Sequence, residues 1–253
     1  MGFEVRRVRS PQGPLGPVIR LIEKEAISVL LDVGANAGQF AQDLRHMGYK
    51  GRIVSFEPVA EAHLELRKTA AGDPGWTVAP RMALGAEDGE VTVQVAVLSG
   101  LSSVLPPTLF HLQTYAPSAT VATDLVPCRR LDSVTDQYLH PGEKALLKVD
   151  VQGFEKQVLE GAESLLEILS GVYIELSLET LYDGQALARD VLDYLERRGF
   201  QMWFVSPGWC DPQSGRMLQY DALLARSNVP TPLEKTELTL SCVQQSFSGV
   251  QAR

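Results

Sequence analysis

With 253 residues, 45% of them apolar, the chain is long enough for one sizeable α/β domain or two small ones, and too apolar for wholesale disorder. Its net charge of −8 argues against nucleic acid or an anionic membrane as a partner, because both need clustered Lys and Arg. No apolar run approaches the roughly 20 residues that span a bilayer, and the three widely spaced cysteines indicate neither disulfides nor zinc, so a cytoplasmic protein is expected.

The N-terminal half is predicted to alternate strands and helices. Residues 1–27 are interpreted as an arm with one short helix. Short runs of β-branched and apolar residues then indicate strands buried on both faces, and amphipathic stretches between them indicate helices. The predicted elements are a helix at 18–26, a strand at 28–33, a helix at 38–47, a strand at 52–56, a helix at 58–71 that Pro58 opens, and a strand at 76–79.

The middle of the chain is less regular. Residues 90–98 alternate apolar and polar side chains with period two, as an edge or surface strand would. Residues 99–127 contain several prolines, few charges and no clear period. We interpret them as a long loop with at most one short element, a lid-like insertion that covers the substrate.

Regular patterns return in the C-terminal half. Strands are predicted at 145–151, 172–176, 200–205 and 221–225, and helices at 154–169 and 187–195. The polar tail at 227–253 is expected to be flexible, which leaves a single domain over 28–226. The whole pattern predicts an α/β fold with a doubly wound, mostly parallel seven-stranded sheet and an antiparallel edge strand.

The turn after the first strand is the strongest functional signal. In an open parallel sheet, ligands bind beyond the carboxyl ends of the strands. Gly34 and Gly38 allow a tight turn there, and the amides near Gly38, Gln39 and Phe40 can receive an anionic group. Asp32, at the tip of the strand, can accept a hydrogen bond from a ligand ammonium, so a zwitterionic amino-acid tail fits this turn.

The second strand ends in an acid with nucleotide-binding spacing. Glu57 lies 19 residues after Gly38 (57 − 38), where an acidic residue binds ribose hydroxyls. Asn36 occupies the position of the middle glycine that a dinucleotide pyrophosphate needs. The turn therefore favours S-adenosylmethionine, which has no phosphate, over NAD.

Several short segments together resemble the FkbM family of methyltransferases. They are DVGANAGQF at 32–40, FEP at 56–58, ALG at 83–85, RLD at 130–132, LKVDVQGFE at 147–155 and VLEGA at 158–162. The resemblance implies a Rossmann-like class I methyltransferase fold with S-adenosylmethionine as cofactor. It also implies methyl transfer to a hydroxyl of a small acceptor such as a sugar, a polyketide or another secondary metabolite.

The resemblance and the turn together define the expected cofactor site. Met82 or Ala83 is expected to contact the adenine ring, and Ser102 belongs to a serine-rich segment that similar family members carry. The predicted cofactor-binding residues are Asp32, Gly34, Asn36, Gly38, Gln39, Phe40, Glu57, Pro58, Ala83, Ser102 and Asp150.

The catalytic candidates are Asp150, Glu175 and His111, because a weakly acidic hydroxyl needs a base within hydrogen-bond reach. Asp150 could instead cap the helix that begins near Phe154, Glu175 could form a structural ion pair, and His111 could be an inert loop residue. A divalent cation held by Asp150 and Glu175 is a less favoured alternative. Lys148 could simply pair with an acid.

Three aromatic residues could also matter. Trp209 and Tyr182 are candidate walls of the acceptor pocket, whereas core packing is expected for Trp203. Two other functions stay open: an NAD-linked oxidoreductase, which the absence of a Tyr-x-x-x-Lys pair disfavours, and a non-catalytic cofactor-binding protein. The expected partner is a small hydroxylated molecule rather than nucleic acid or membrane, and a homodimer is left open.

Overall fold

The structure is a computed structural model and describes residues 13–226. The first residues of the predicted arm and the predicted tail at 227–253 lie outside the described residues. The described chain contains ten strands: β1 Val29–Val33, β2 Arg52–Phe56, β3 Trp76–Val78, β4 Ala83–Leu84, β5 Gly89–Ala96, β6 Thr120–Arg129, β7 Ala145–Val149, β8 Gly171–Ser177, β9 Phe200–Pro207 and β10 Gln219–Arg226.

Eight α-helices and three short 3₁₀ segments connect these strands. The helices are α1 Gly16–Glu25, α2 Gln39–His46, α3 Ala60–Ala70, α4 Leu109–Thr114, α5 Leu131–Val134, α6 Glu155–Glu160, α7 Glu163–Ile168 and α8 Ala188–Glu196. None of the helices within residues 13–226 is long and apolar enough to cross a bilayer.

Seven strands form the main sheet, in the order β3-β2-β1-β7-β8-β10-β9. Five neighbouring strands of this sheet, β3, β2, β1, β7 and β8, run parallel to one another. Strand β10 runs antiparallel to both β8 and β9. The predicted doubly wound, mostly parallel sheet with an antiparallel edge is therefore confirmed. The reversed strand is inserted next to the edge strand β9, so β10 is paired on both sides.

Successive residues of the central strands pack against different layers, because side chains alternate across a sheet. Leu31 belongs to the core cluster that holds the apolar sides of α6, α7 and α8. Its neighbour Leu30 belongs to the cluster formed with α1, α2 and α3. Every residue of β1 and β7 is buried, which explains why unbroken apolar runs predicted these strands so closely.

The prediction of a long loop at 99–127 is wrong in its second half. Residues 120–129 form β6, which pairs antiparallel with β5 and parallel with β4 in a separate three-stranded sheet. Leu109–Thr114 adds the helix α4. Most of β6 is exposed and only Val126 and Cys128 are buried, so the strand leaves almost no apolar pattern in the sequence.

The predicted helix at 154–169 is divided into α6 and α7 around Gly161. A Cβ atom at Gly161 would lie 1.9 Å from the carbonyl oxygen of Gly85. The helical connection therefore passes directly against the backbone at the end of β4. This contact joins the small sheet to the main domain beside the carboxyl ends of the parallel strands.

Candidate active site

A cavity of about 330 Å³ opens at the carboxyl ends of the parallel strands. Ten of the predicted site residues line it: Gly34, Asn36, Gln39, Phe40, Glu57, Pro58, Ala83, Ser102, Asp150 and Glu175. Asp32, Gly38 and His111 are not among the residues that line it. The cavity lies between the main sheet and the three-stranded sheet, whose Val93 contributes to its wall.

The turn after β1 requires glycine at two positions. Gly34 has a φ of +72°, and a Cβ atom there would lie 1.8 Å from the carbonyl oxygen of Asp150. Gly38 has a φ of +90°, and a Cβ atom there would lie 2.9 Å from the ring of Trp76. Asn36 between them also has a positive φ of 48°, which Asn tolerates better than most residues. The turn therefore brings bare backbone to the cavity.

Glu57 is held in place by two backbone amides. Its Oε2 accepts from the N–H of Asn36 and its Oε1 from the N–H of Val59, both at 2.8 Å. Each oxygen retains a further lone pair that can accept from a ligand hydroxyl. The side chain is only 5% exposed, and burial raises the pKa of Glu57 to about 7 despite the two amide donors. A buried carboxylate that faces a cavity in this way suits a vicinal diol.

Asp32 does not reach the cavity, because it is fully buried beneath the turn. Its Oδ1 lies 3.4 Å from Nζ of Lys148, and its Oδ2 accepts from the hydroxyl of Ser55 at 3.2 Å. The predicted contact between Asp32 and a ligand ammonium therefore does not fit this geometry. Its position supports a different role, which is to hold Lys148.

Lys148 connects the acids to the turn. Its Nζ donates to the carbonyl oxygen of Gly34 at 2.8 Å and lies 3.6 Å from Oδ2 of Asp150. Burial alone would lower the pKa of Lys148, but the carboxylates of Asp150 and Asp32 outweigh it and raise the pKa. The prediction that Lys148 pairs with an acid is confirmed, and two acids share it.

Asp150 does not cap the following helix. The residue at the start of α6 is Phe154, which has no side-chain cap, and the loop amides of Val151 and Gly153 donate to Glu155 instead. Burial raises the pKa of Glu155 to about 7. The capping role considered for Asp150 is therefore wrong, and its carboxylate, 38% exposed, is available to the cavity.

Glu175 and Asp221 extend the acidic side of the cavity. They are cross-strand partners in the β8–β10 register. Oε2 of Glu175 accepts from the side-chain amides of Gln152 and Gln219, both at 2.8 Å. Burial, followed by the nearby charge of Asp150, raises the pKa of Glu175 well above its usual value and that of Asp221 to about 6. Within residues 13–226 no cation lies within ion-pair distance of Glu175, so the structural ion pair considered for it is not formed.

The structure gives His111 a packing role. It is 1% exposed, its ring lies 4.9 Å from that of Tyr182 and 5.6 Å from that of Trp209, and burial lowers its pKa. Its position therefore does not support a general-base role. Tyr182 and Trp209 pack in this cluster and do not line the cavity. Trp203, expected in the core, is 49% exposed on β9 beneath Nζ of Lys24.

The described residues contain no group of three or more His, Cys, Asp or Glu side chains arranged to hold a metal ion. Sequence reasoning missed Asp221 and Gln152 as parts of the site. Asp221 could have been found only with the register of β10 against β8. Gln152 lies inside the LKVDVQGFE segment, only two residues after Asp150. This closeness in sequence was the signal that could have identified it as part of the site.

Known proteins similar to this chain are methyltransferases. The model of the methyltransferase FkbM domain matches residues 32–202. The hexuronic acid methyltransferase AglP of Haloferax volcanii is 26% identical over 68% of this chain and 66% of its own length. The 2-O-methyltransferase NoeI of Sinorhizobium fredii is 28% identical over 70% of this chain and 74% of its own.

A solved FkbM methyltransferase from Methylobacillus flagellatus matches with a TM-score of 0.49 and 15% identity, over 78% of this chain and 43% of that protein. The match thus spans just under two thirds of AglP and less than half of the solved protein. The matched range includes the glycine turn, Glu57, Asp150 and Glu175, and the family is one of methyltransferases rather than of the oxidoreductases considered above. This chain belongs to the FkbM methyltransferase family.

Proposed function

We propose that this protein transfers a methyl group from S-adenosylmethionine to a hydroxyl of a small sugar-like acceptor. The observation that carries the proposal is the fixed carboxylate of Glu57 beside the bare backbone of Gly34 in one cavity. When bound, the cofactor supplies a methyl group activated by a sulfonium. The residues present fit it, because Glu57 suits the ribose diol and the amides of Gln39 and Phe40 at the start of α2 suit the carboxylate.

Asp150 is the best-placed general base. It lines the cavity at the end of β7 and, unlike Glu175 and Asp221, it lies within ion-pair distance of Lys148. The raised pKa of Glu175 favours its neutral form, in which it can donate a hydrogen bond to an acceptor oxygen, and the carboxyl group of Asp221 can accept one from an acceptor hydroxyl. Asp150 would accept the hydroxyl proton, while the walls hold the two reactants in line.

The acceptor class is proposed from the relatives and from the position of the cavity. The names of AglP and NoeI describe methylation of a hexuronic acid and at a 2-hydroxyl. A polyol fits a cavity lined by several carboxyl groups, because each oxygen can accept from a hydroxyl. Ser99, Gly100 and Ser102 lie over the same cavity, so the segment 99–127 is proposed to select the acceptor.

The cofactor half of the proposal is tested by calorimetry with S-adenosylmethionine and S-adenosylhomocysteine. Wild type should bind both, and Glu57→Gln should bind about 10- to 100-fold more weakly, because charged hydrogen bonds to the ribose are lost. Glu65→Gln on the exposed face of α3 is the matched control and should bind like wild type. Wild type that binds neither compound would refute the proposal.

The acceptor half is tested with methyl-labelled cofactor and a panel of uronic acids, neutral hexoses and amino sugars. Label should appear in at least one sugar as an O-methyl ether, identified by mass spectrometry and NMR. Cofactor binding without label transfer to any hydroxyl compound in the panel would instead favour the non-catalytic alternative.

A further inference from the structure

Gln152 adopts a backbone conformation that is unusual for its residue type. Its φ is +55°, in the left-handed region, and the next residue, Gly153, has a φ of +99°. A non-glycine residue held there is strained, which glycine at the same position would avoid. Gln152 is also only 7% exposed although it lines the cavity. The strained position points to a use for its side chain.

The side-chain amide of Gln152 joins the two candidate catalytic acids. Its Nε2 donates to Oδ1 of Asp150 and to Oε2 of Glu175, both at 2.8 Å, which uses both N–H groups. Its Oε1 lies 3.0 Å from the hydroxyl of Tyr182, which is also 3.0 Å from the carbonyl oxygen of Leu101. The reverse orientation of the amide would place its oxygen against two carboxyl groups, so the contacts themselves fix its orientation.

We propose that Gln152 is a positioning residue, which holds Asp150 and Glu175 as one unit and leaves Oδ2 of Asp150 for the acceptor. This inference rests on the proposed function, in which Asp150 is the base. Without the two donors, no hydrogen bond from Gln152 would fix the two carboxyl groups relative to each other, and the 3.6 Å contact with Lys148 would position Asp150 instead. Other titratable groups that face the unit from neighbouring elements are Asp32, Glu155, Tyr173, Tyr182 and Asp221.

The first test is kinetic and uses Gln152→Glu, which keeps the side-chain length but removes both N–H donors. We expect kcat for labelled methyl transfer to fall about 100-fold, as for a misplaced catalytic group, while KM for S-adenosylmethionine stays within about twofold. Activity relative to wild type should recover as the pH is lowered from about 8 to 6, because the new carboxyl, once protonated, regains one donor.

Gln219→Glu is the matched control for this test. It introduces the same charge next to Glu175, but Gln219 contacts Glu175 and Ser177 and not Asp150. Its kcat should fall less than about fivefold. Equal losses in the two variants, or a Gln152→Glu variant within twofold of wild type, would overturn the proposal.

The second test needs no acceptor and separates this inference from the proposed function. Gln152→Asn tolerates the left-handed backbone but is too short to reach both acids. Its loss of melting temperature should be larger at pH 8 than at pH 5.5, because the donor to Glu175 stabilises the charged form of that carboxyl group, which its raised pKa shifts to higher pH. Gln157→Asn in α6 is the control, with an equal loss at both pH values expected. If Gln152→Asn lowers the melting temperature equally at both pH values, the proposal that Gln152 holds the two acids together is refuted. This outcome does not depend on whether wild type transfers a methyl group.

Discussion

Replacement of Lys148 by Met should destabilise the protein strongly and in a pH-dependent way. Lys148 is 5% exposed, and it is the cation next to Asp32, whose carboxylate is completely buried. Methionine fills a similar volume but leaves the charge of Asp32 without its partner. The loss should therefore be that of a broken buried ion pair rather than that of a cavity.

The size of the effect follows from burial. Removal of one partner of a buried pair costs about 3–5 kcal/mol, and the lost hydrogen bond to the carbonyl oxygen of Gly34 adds about 1 kcal/mol. For a domain of this length, the melting temperature should fall by roughly 8–20 °C. The loss should be smaller at pH 5 than at pH 8, because burial already raises the pKa of Asp32 and its protonation removes the unpaired charge.

Differential scanning calorimetry at both pH values checks this prediction. Lys156→Met is the control, since Lys156 forms an exposed pair with Glu160 that should contribute less than about 1 kcal/mol. The double variant Asp32→Asn/Lys148→Met should recover much of the lost stability but not the bond to Gly34. A Lys148→Met variant that melts within about 2 °C of the Lys156 control would refute this account of the buried pair.

Three further predictions concern the turn, the histidine and the acids. Gly34→Ala should abolish S-adenosylhomocysteine binding in calorimetry, because its Cβ atom would overlap the carbonyl oxygen of Asp150. His111→Phe should keep kcat within about threefold of wild type, since the ring packs outside the cavity; a loss of 100-fold would restore its candidacy as a base. The ligand-free protein should lose about 6 kcal/mol of stability between pH 4.5 and 8, about 3 kcal/mol from each group, measured by denaturant titration, because Glu57 and Glu155 titrate near pH 7 when folded and near 4.5 when unfolded. The folded state then binds more protons in that window, so stability falls as the pH rises; a flat profile would contradict the raised pKa values.

The strands whose bounds were predicted most accurately are those in which nearly every residue is buried. β2 was predicted at its observed bounds, because its apolar residues Ile53, Val54 and Phe56 are buried and Gly51 and Pro58 delimit the segment. β6 was missed because its surroundings are mostly solvent, and a Pro at position 127 lies within it. Its partner β5 alternates with period two and was predicted, so the missing signal belongs to β6 itself.

Within the site, local motifs were predictable and tertiary contacts were not. The glycine turn is recognisable from glycines at positions with positive φ, and Glu57 from its spacing after Gly38. By contrast, the pairing of Asp32 with Lys148 depends on the β1–β7 register, which places these two residues side by side. The position of His111 depends on the packing of α4 against Tyr182, which no spacing in the chain expresses.

The insertion of β10 between β8 and β9 also affects how the protein is made. Asp221 reaches the site on the last strand that the structure describes, about 70 residues after Asp150. During synthesis from the N-terminus, one edge of β8 stays unpaired until that strand leaves the ribosome. The cofactor turn can therefore form early from local sequence, whereas the acidic wall is completed only when the sheet closes.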